Sequence, residues 1–273
     1  SALRVRVRQY EMRELLTELA RAATERERLL CAEREARATA EAANCAKDEF
    51  LATLSHELRT PMNVILGWTA MLVSGAVPPE KRPEALSVID RNARMQTQLI
   101  QDLLDVSSIV SGKMRLNLQA ADWRSVVELA IDTVRPTAEL KDIAIEAVFD
   151  SRGMAIRGDP DRLLQIASNL LTNAVKFTPP GGRVRVRLES LENAERLTVS
   201  DTGRGIPTDF LPFVFDRFRQ ADGSTTRKFG GLGLGLAIVR HLTDLHGGSV
   251  DVWSDGEGKG ATFSVTLPRT SRG

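Results

Sequence analysis

Asp159–Thr178 reads DPDRLLQIASNLLTNAVKFT. Leu163, Leu164, Ile166, Ala167, Leu170, Leu171 and Ala174 recur at helical spacing and form a broad apolar stripe that needs burial. Asn169, Asn173 and Lys176 fall at spacings of four and three, so they share one face of the same helix. Asparagine is a poor helix former, and two of them beside a core stripe require a reason. An amide oxygen can ligate Mg²⁺, and a lysine one turn on can meet a phosphate. Helix caps or ordinary surface polars are the other reading of the same three residues.

Outward from this helix the pattern is mixed. Strand candidates are Arg115–Gln119, Ala144–Phe149, Arg183–Glu189, Arg196–Ser200, Ser249–Ser254 and Ala261–Leu267. Helix candidates are Trp123–Leu140, Pro160–Phe177 and Leu232–His246. Helices interleaved with antiparallel hairpins predict an α/β sandwich, with helices on one face of a mostly antiparallel sheet. Two glycine-bearing segments punctuate it. VSDTGRGIP leads from a strand into Asp201, Gly203 and Gly205. A carboxylate at a strand end can accept from an amine, and glycines let a ligand lie against backbone; taken alone, the segment reads equally as a turn. In RKFGGLGLGLAIVRHL, glycines including Gly231, Gly233 and Gly235 run directly into a helix, where free amides favour phosphate. A dinucleotide fingerprint should follow the first strand of a βαβ unit. Here a polar loop, DRFRQADGSTTRK, comes first and reads as a mobile lid.

Upstream of about residue 112 the chain is helical. Residues 11–50 lack Gly and Pro. One seam at seven-residue spacing is apolar (Leu15, Ala22, Leu29, Ala36, Ala43, Phe50), while its companion is broken by Arg26, Glu33 and Lys47. That combination predicts a marginal two-stranded coiled coil, with a single amphipathic helix lying on another domain as the alternative. The helix continues to about Ser74 through LATLSHELRTPMN. His56 lies about 200° around the helix from Leu54 and from Leu58, off the apolar stripe. Pro61 removes the donor for the Glu57 carbonyl and should bend the helix. SGAVPPEKRP then breaks it, and a second amphipathic helix from about Glu84 to Val110 completes a hairpin too thin to fold alone. Pairing with a second copy into a four-helix bundle is the natural solution. Gly112, in SGKMRLN, reads as a hinge.

Composition narrows the field. Charged residues make up 27% and apolar residues 42% of 273 residues, and the net charge is +1. No basic field of the kind nucleic acid requires is present. No window holds about 18 apolar residues, so no membrane contact by this segment is expected. Cys31 and Cys45 are too few for a disulfide framework and read as free thiols of a reducing, cytoplasmic compartment.

Taken in order, SHELRTP, NLLTNAVKF, DTGRGIP, FDRFRQ and GGLGLGLAIV resemble the phosphoacceptor, asparagine, first glycine, phenylalanine and second glycine boxes of the sensor histidine kinases of two-component systems. The resemblance covers about residues 40–268. It implies a coiled-coil signalling helix (1–49), a dimerisation and histidine-phosphotransfer domain (50–111), a hinge (112–117) and a Bergerat-type ATP-binding catalytic domain (118–273). By the same resemblance His56 is the phosphoryl acceptor and Glu57 its general base. Thr60 orients water for dephosphorylating the regulator, with simple surface polarity as its alternative. Asn173 is the Mg²⁺ ligand with Asn169 beside it, and Lys176 neutralises phosphate. Asp201 holds the adenine amine, and Gly203 and Gly205 allow close approach. Phe215 and Phe218 anchor the lid, Arg227 or Lys228 reaches the γ-phosphate, and Gly231, Gly233 and Gly235 offer backbone amides. Related hydrolytic ATPases carry a glutamate where Asn169 stands, which argues against ATP hydrolysis as the main reaction. The cofactors implied are ATP and Mg²⁺. The partners implied are a second copy and the receiver domain of a response regulator, with a sensor domain expected upstream and membrane attachment of the parent protein left open. A catalytically silent ATP-binding dimer is the alternative.

Overall fold

The computed structural model describes residues 2–150, 156–219 and 232–269; in the first helix, many side chains before residue 54 lie outside the description. Two compact units are distinguished, Ser1–His56 and Glu57–Gly273. Helix α1 spans Ala2–Val73 and runs through Pro61, whose ring is buried. Of the expected coiled-coil seam, Leu29 is exposed, while Leu15, Ala22, Ala43 and Phe50 lie outside the described side chains. Cys31 is an exposed free thiol, and the side chain of Cys45 is not among those described.

Helix α2, Arg82–Val110, is the second helix of the expected hairpin. It ends where the sequence indicated a hinge, and the backbone shows why. Gly112 takes φ +63. Its N–H donates to the Ile109 carbonyl at 3.1 Å, and the Lys113 N–H donates to that of Ser108 at 3.0 Å. This is the Schellman arrangement, which satisfies the last carbonyls and turns the chain away.

Five strands form the main sheet: β2 (Ala144–Phe149), β4 (Arg183–Ser190), β5 (Ala194–Asp201), β6 (Ser249–Trp253) and β7 (Ala261–Pro268), in the order β2-β4-β5-β7-β6. Every pairing is antiparallel except that of β2 with β4. A small second sheet pairs β1 (Gln119–Ala121) with β3 (Ile156–Gly158). Helices α3 (Trp123–Leu140), α4 (Pro160–Phe177) and α5 (Gly235–Leu245) pack side by side. Strand alternation sets the core. Val184, Val186 and Leu188 of β4 and Leu197 and Val199 of β5 are fully buried, as is Val265 of β7. In register, Leu188, Leu197 and Val265 form one row across the sheet, and Val186, Val199 and Phe263 form the next. Arg183, Arg185 and Arg187 point the other way, into solvent, where Glu146 and Asp150 pair with them.

Three expectations shift. The first strand begins at Gln119 rather than Arg115, because only there does it meet β3; further back, the Asn117 N–H is taken at 2.9 Å by the Asp159 carboxylate. Strand β3, three residues long, carries too little alternation to be seen in advance. Helix α5 starts at Gly235 rather than Leu232, because Gly233 sits at φ +67, outside helical backbone.

Candidate functional site

Helix α4 is fixed at both ends. Asp159 caps its start, accepting from the N–H groups of Asp161 and Arg162 at 3.2 and 3.3 Å. At its end, Lys141 donates from Nζ to the carbonyls of Val175 (2.6 Å), Lys176 (3.2 Å) and Thr178 (2.7 Å). A lysine here answers both the unpaired carbonyls and the negative end of the helix dipole. Leu163, Ile166, Ala167, Leu170, Leu171 and Ala174 are buried on the core side. Asn169, Asn173 and Lys176 remain half-exposed on another. Asn169 donates from Nδ2 to the carbonyl of Gly235 at 3.2 Å. The asparagine face of α4 is thus brought to the glycine start of α5, and the Asn169 amide oxygen is left as its acceptor end.

Asp201 closes β5 on the inner face of the sheet, in register with Val184 and Ala261. Burial raises its carboxyl above the ordinary range, and hydrogen bonds from the backbone of Gly203 and Ala261 oppose the shift. The Gly203 N–H reaches Oδ1 at 2.8 Å. A side chain at Gly203 would come within 2.6 Å of both that oxygen and the Phe177 carbonyl. Glycine therefore keeps the strand end, the carboxylate and the end of α4 in contact. Gly205 lies beside the backbone of Gly256, which leaves it no room for a side chain.

Lys176 has its pKa lowered by burial first and by Arg204 second, while Glu57 of α1 raises it. Arg204 also stacks on Phe177, its guanidinium carbon 4.3 Å from the ring centroid, and Lys176 Nζ lies 5.0 Å from the same centroid. Two cationic side chains thus lie within 5.0 Å of one aromatic ring. Neither Arg204 nor Phe177 stands out in the sequence. Their only signal is their place, one inside the Gly203–Gly205 pair and the other directly after Lys176.

The two phenylalanines expected to anchor a lid have different surroundings. Phe215 packs edge-on against Phe263 of β7, with centroids 6.3 Å apart. Phe218 is exposed, at φ +66, and its N–H donates to the Gly233 carbonyl at 3.2 Å. Arg227, Lys228 and Gly231 lie outside the described residues. On α1, His56 and Thr60 are exposed and Glu57 is half-buried.

The donor set suits a divalent cation carried with phosphates. Among the described residues no group of three His, Cys, Asp or Glu side chains could hold a metal by itself. Amide oxygens of Asn173 and Asn169 could supply neutral oxygen ligands, and most of the coordination would then come from phosphate and water, as Mg²⁺ prefers.

Comparisons with known proteins show what the two parts of the chain are similar to. Residues 46–112 match the family model of the His Kinase A (phospho-acceptor) domain, and residues 158–271 match that of the histidine kinase-, DNA gyrase B- and HSP90-like ATPases. The chain is 40% identical over 238 residues to the circadian input-output histidine kinase CikA of Synechococcus elongatus, covering 86% of this chain and 31% of CikA. It is 39% identical over 270 residues to hybrid signal transduction histidine kinase D of Dictyostelium discoideum, covering 82% of this chain and 18% of that protein. A structure of full-length ShkA in complex with AMPPNP superposes with a TM-score of 0.61 at 33% identity, over 81% of this chain and 46% of ShkA. The Acinetobacter baumannii histidine kinase AdeS shares the fold, with a TM-score of 0.60 at 21% identity over 79% of this chain and 98% of that one. The chain spans between 18% and 31% of the length of these two curated relatives.

Proposed function

Because the chain belongs to the sensor histidine kinases of two-component systems, we propose that it transfers the γ-phosphoryl group of ATP to His56 and then to an aspartate of a response regulator. The observation that carries this reading is the meeting of the Asn169–Asn173–Lys176 face with the start of α5, together with a half-buried carboxylate at the end of β5. Asp201 accepts from the adenine amine, with Gly203 and Gly205 as the floor. Lys176 and the amides at Gly233 and Gly235 answer phosphate charge; Gly231 and one of Arg227 and Lys228 extend that role into the lid. Asn173 would hold Mg²⁺, which would supply charge neutralisation on the phosphates.

In the reaction a ring nitrogen of His56 attacks the γ-phosphorus in line. The new N–P bond forms as the bond to the β,γ-bridging oxygen breaks, and ADP departs. Glu57 accepts the hydrogen bond of the other ring N–H and stabilises the positive charge that attack leaves there. Asn169 stands where a hydrolytic enzyme needs a carboxylate base, so water is not activated. Thr60, one turn beyond His56, orients water for release of phosphate from the regulator.

The working form is a homodimer paired through the helical hairpin. We assign residues 1–49 to signalling, 50–111 to phosphotransfer, 112–117 to the hinge and 118–273 to catalysis, in the cytoplasm and downstream of a sensor domain. No helix among the described residues is long and apolar enough to cross a membrane.

Incubation with Mg²⁺ and γ-labelled ATP should place acid-labile, base-stable label on the chain. His56→Gln should remove the label while nucleotide still binds. Nucleotide binding without label on the unaltered chain would favour the silent module instead.

A further inference from the structure

The C-terminal part of α2 carries a charged side chain on its buried face. Asp105 is 2% exposed, between Leu99, Val106 and Ile109, all buried as well. Its carboxylate is fully engaged. Arg162 of α4 donates from Nη1 to Oδ1 at 2.9 Å, and Gln165 of α4 donates from Nε2 to Oδ2 at 2.7 Å. Arg162 Nη1 also meets Gln165 Oε1 at 2.8 Å, and Gln101 approaches Oδ1 from α2 itself at 3.3 Å. The cluster is closed: each member holds the next.

We propose that Asp105, Arg162 and Gln165 form a clasp that positions the nucleotide-bearing helix α4 on the phosphotransfer hairpin for the kinase step. This rests on the functional reading above. Apolar helix faces slide over one another at little cost, whereas a hydrogen-bonded ion cluster fixes one register. It does so reversibly, since both partners regain water on release. The same α4 carries Asn169, Asn173 and Lys176 toward its other end. There the Glu57 carboxylate of α1 favours the charged form of Lys176. One helix is thus gripped by α2 near its start and faces the Glu57 turn near its end. The clasp residues are positioning residues: they are assigned no phosphate contact, and on α4 Arg162 and Gln165 stand about one to four turns from the asparagine and lysine groups that are.

The test separates position from binding. In the full chain, Arg162→Ala and Asp105→Asn should each lower the autophosphorylation rate at saturating Mg²⁺–ATP by about tenfold or more, with affinity for a fluorescent ATP analogue held within about twofold. Arg162→Asp should be slow as well, and the reversed pair Asp105→Arg with Arg162→Asp should recover part of the loss. Hydrogen exchange across residues 103–110 should quicken in Arg162→Ala, a readout independent of turnover. Single variants at or above the unaltered rate would overturn the clasp. So would affinity falling in step with rate, or a reversed pair no better than Arg162→Asp alone. An unlabelled chain before any substitution would overturn the functional reading and the clasp's role together, and the lack of label in every sample marks that case.

Discussion

Asp201 shows how much one residue's surroundings decide. A strand end on the inner face of the sheet costs its charge most of its water, and the carboxyl responds with a raised pKa. The sign follows from linkage. The native state binds the proton more tightly than the unfolded chain, so the cost of the buried charge is fully present above the raised native value. As pH falls through that value toward the ordinary 3.8, the cost is relieved, and stability from this group rises. Asp201→Asn should therefore raise the midpoint of thermal unfolding near neutral pH, and the gain should vanish as the buffer approaches the ordinary carboxylate value. The same substitution should weaken ATP-analogue binding by about 1–3 kcal/mol, because an amide N–H can be turned toward the adenine amine. Unchanged affinity in a nucleotide titration would count against the adenine role. Asp201 was legible in the sequence because a carboxylate between a strand and two glycines is a local pattern. Arg204 on Phe177 was not, because a contact across 27 positions leaves no trace in spacing; nor was Asp105, whose partners Arg162 and Gln165 lie in another helix.

At the scale of elements, helix α4 depends on Lys141 more than its sequence suggests. The side chain meets three carbonyls at the end of α4 from the turn after α3. Lys141→Met should cost about 1–2 kcal/mol of stability, read as a lower midpoint in urea, with Lys141→Arg closer to the unaltered chain. A midpoint that does not move would show that water replaces the ammonium without loss. The helices themselves were readable to within three residues at either end, since a 3.6-residue stripe over ten or more positions is a strong signal. The strands of the main sheet were nearly as clear through alternation. The small sheet was not, because three residues cannot show a period, and the parallel pairing of β2 with β4 depends on a crossover through β3 and α4 that no local pattern encodes.

For the whole molecule, the hairpin leaves apolar area uncovered. Leu66, Leu86, Ile100 and Leu104 are all exposed, Leu104 by 57%. A single copy does not bury them, and a second copy in a four-helix bundle would. The full chain should sediment as a dimer, and paired Ile100→Glu and Leu104→Glu substitutions should shift it to monomer without loss of ATP-analogue binding. A sedimentation coefficient that stays dimeric would place the pairing elsewhere. Residue Asp159 carries one more consequence. Its Oδ1 holds the opening turn of α4 while its Oδ2 holds Asn117, in the strip of chain arriving from α2. The connection is therefore moored before it reaches any strand. A load on this linker would therefore reach the start of helix α4 before it reaches any strand of either sheet.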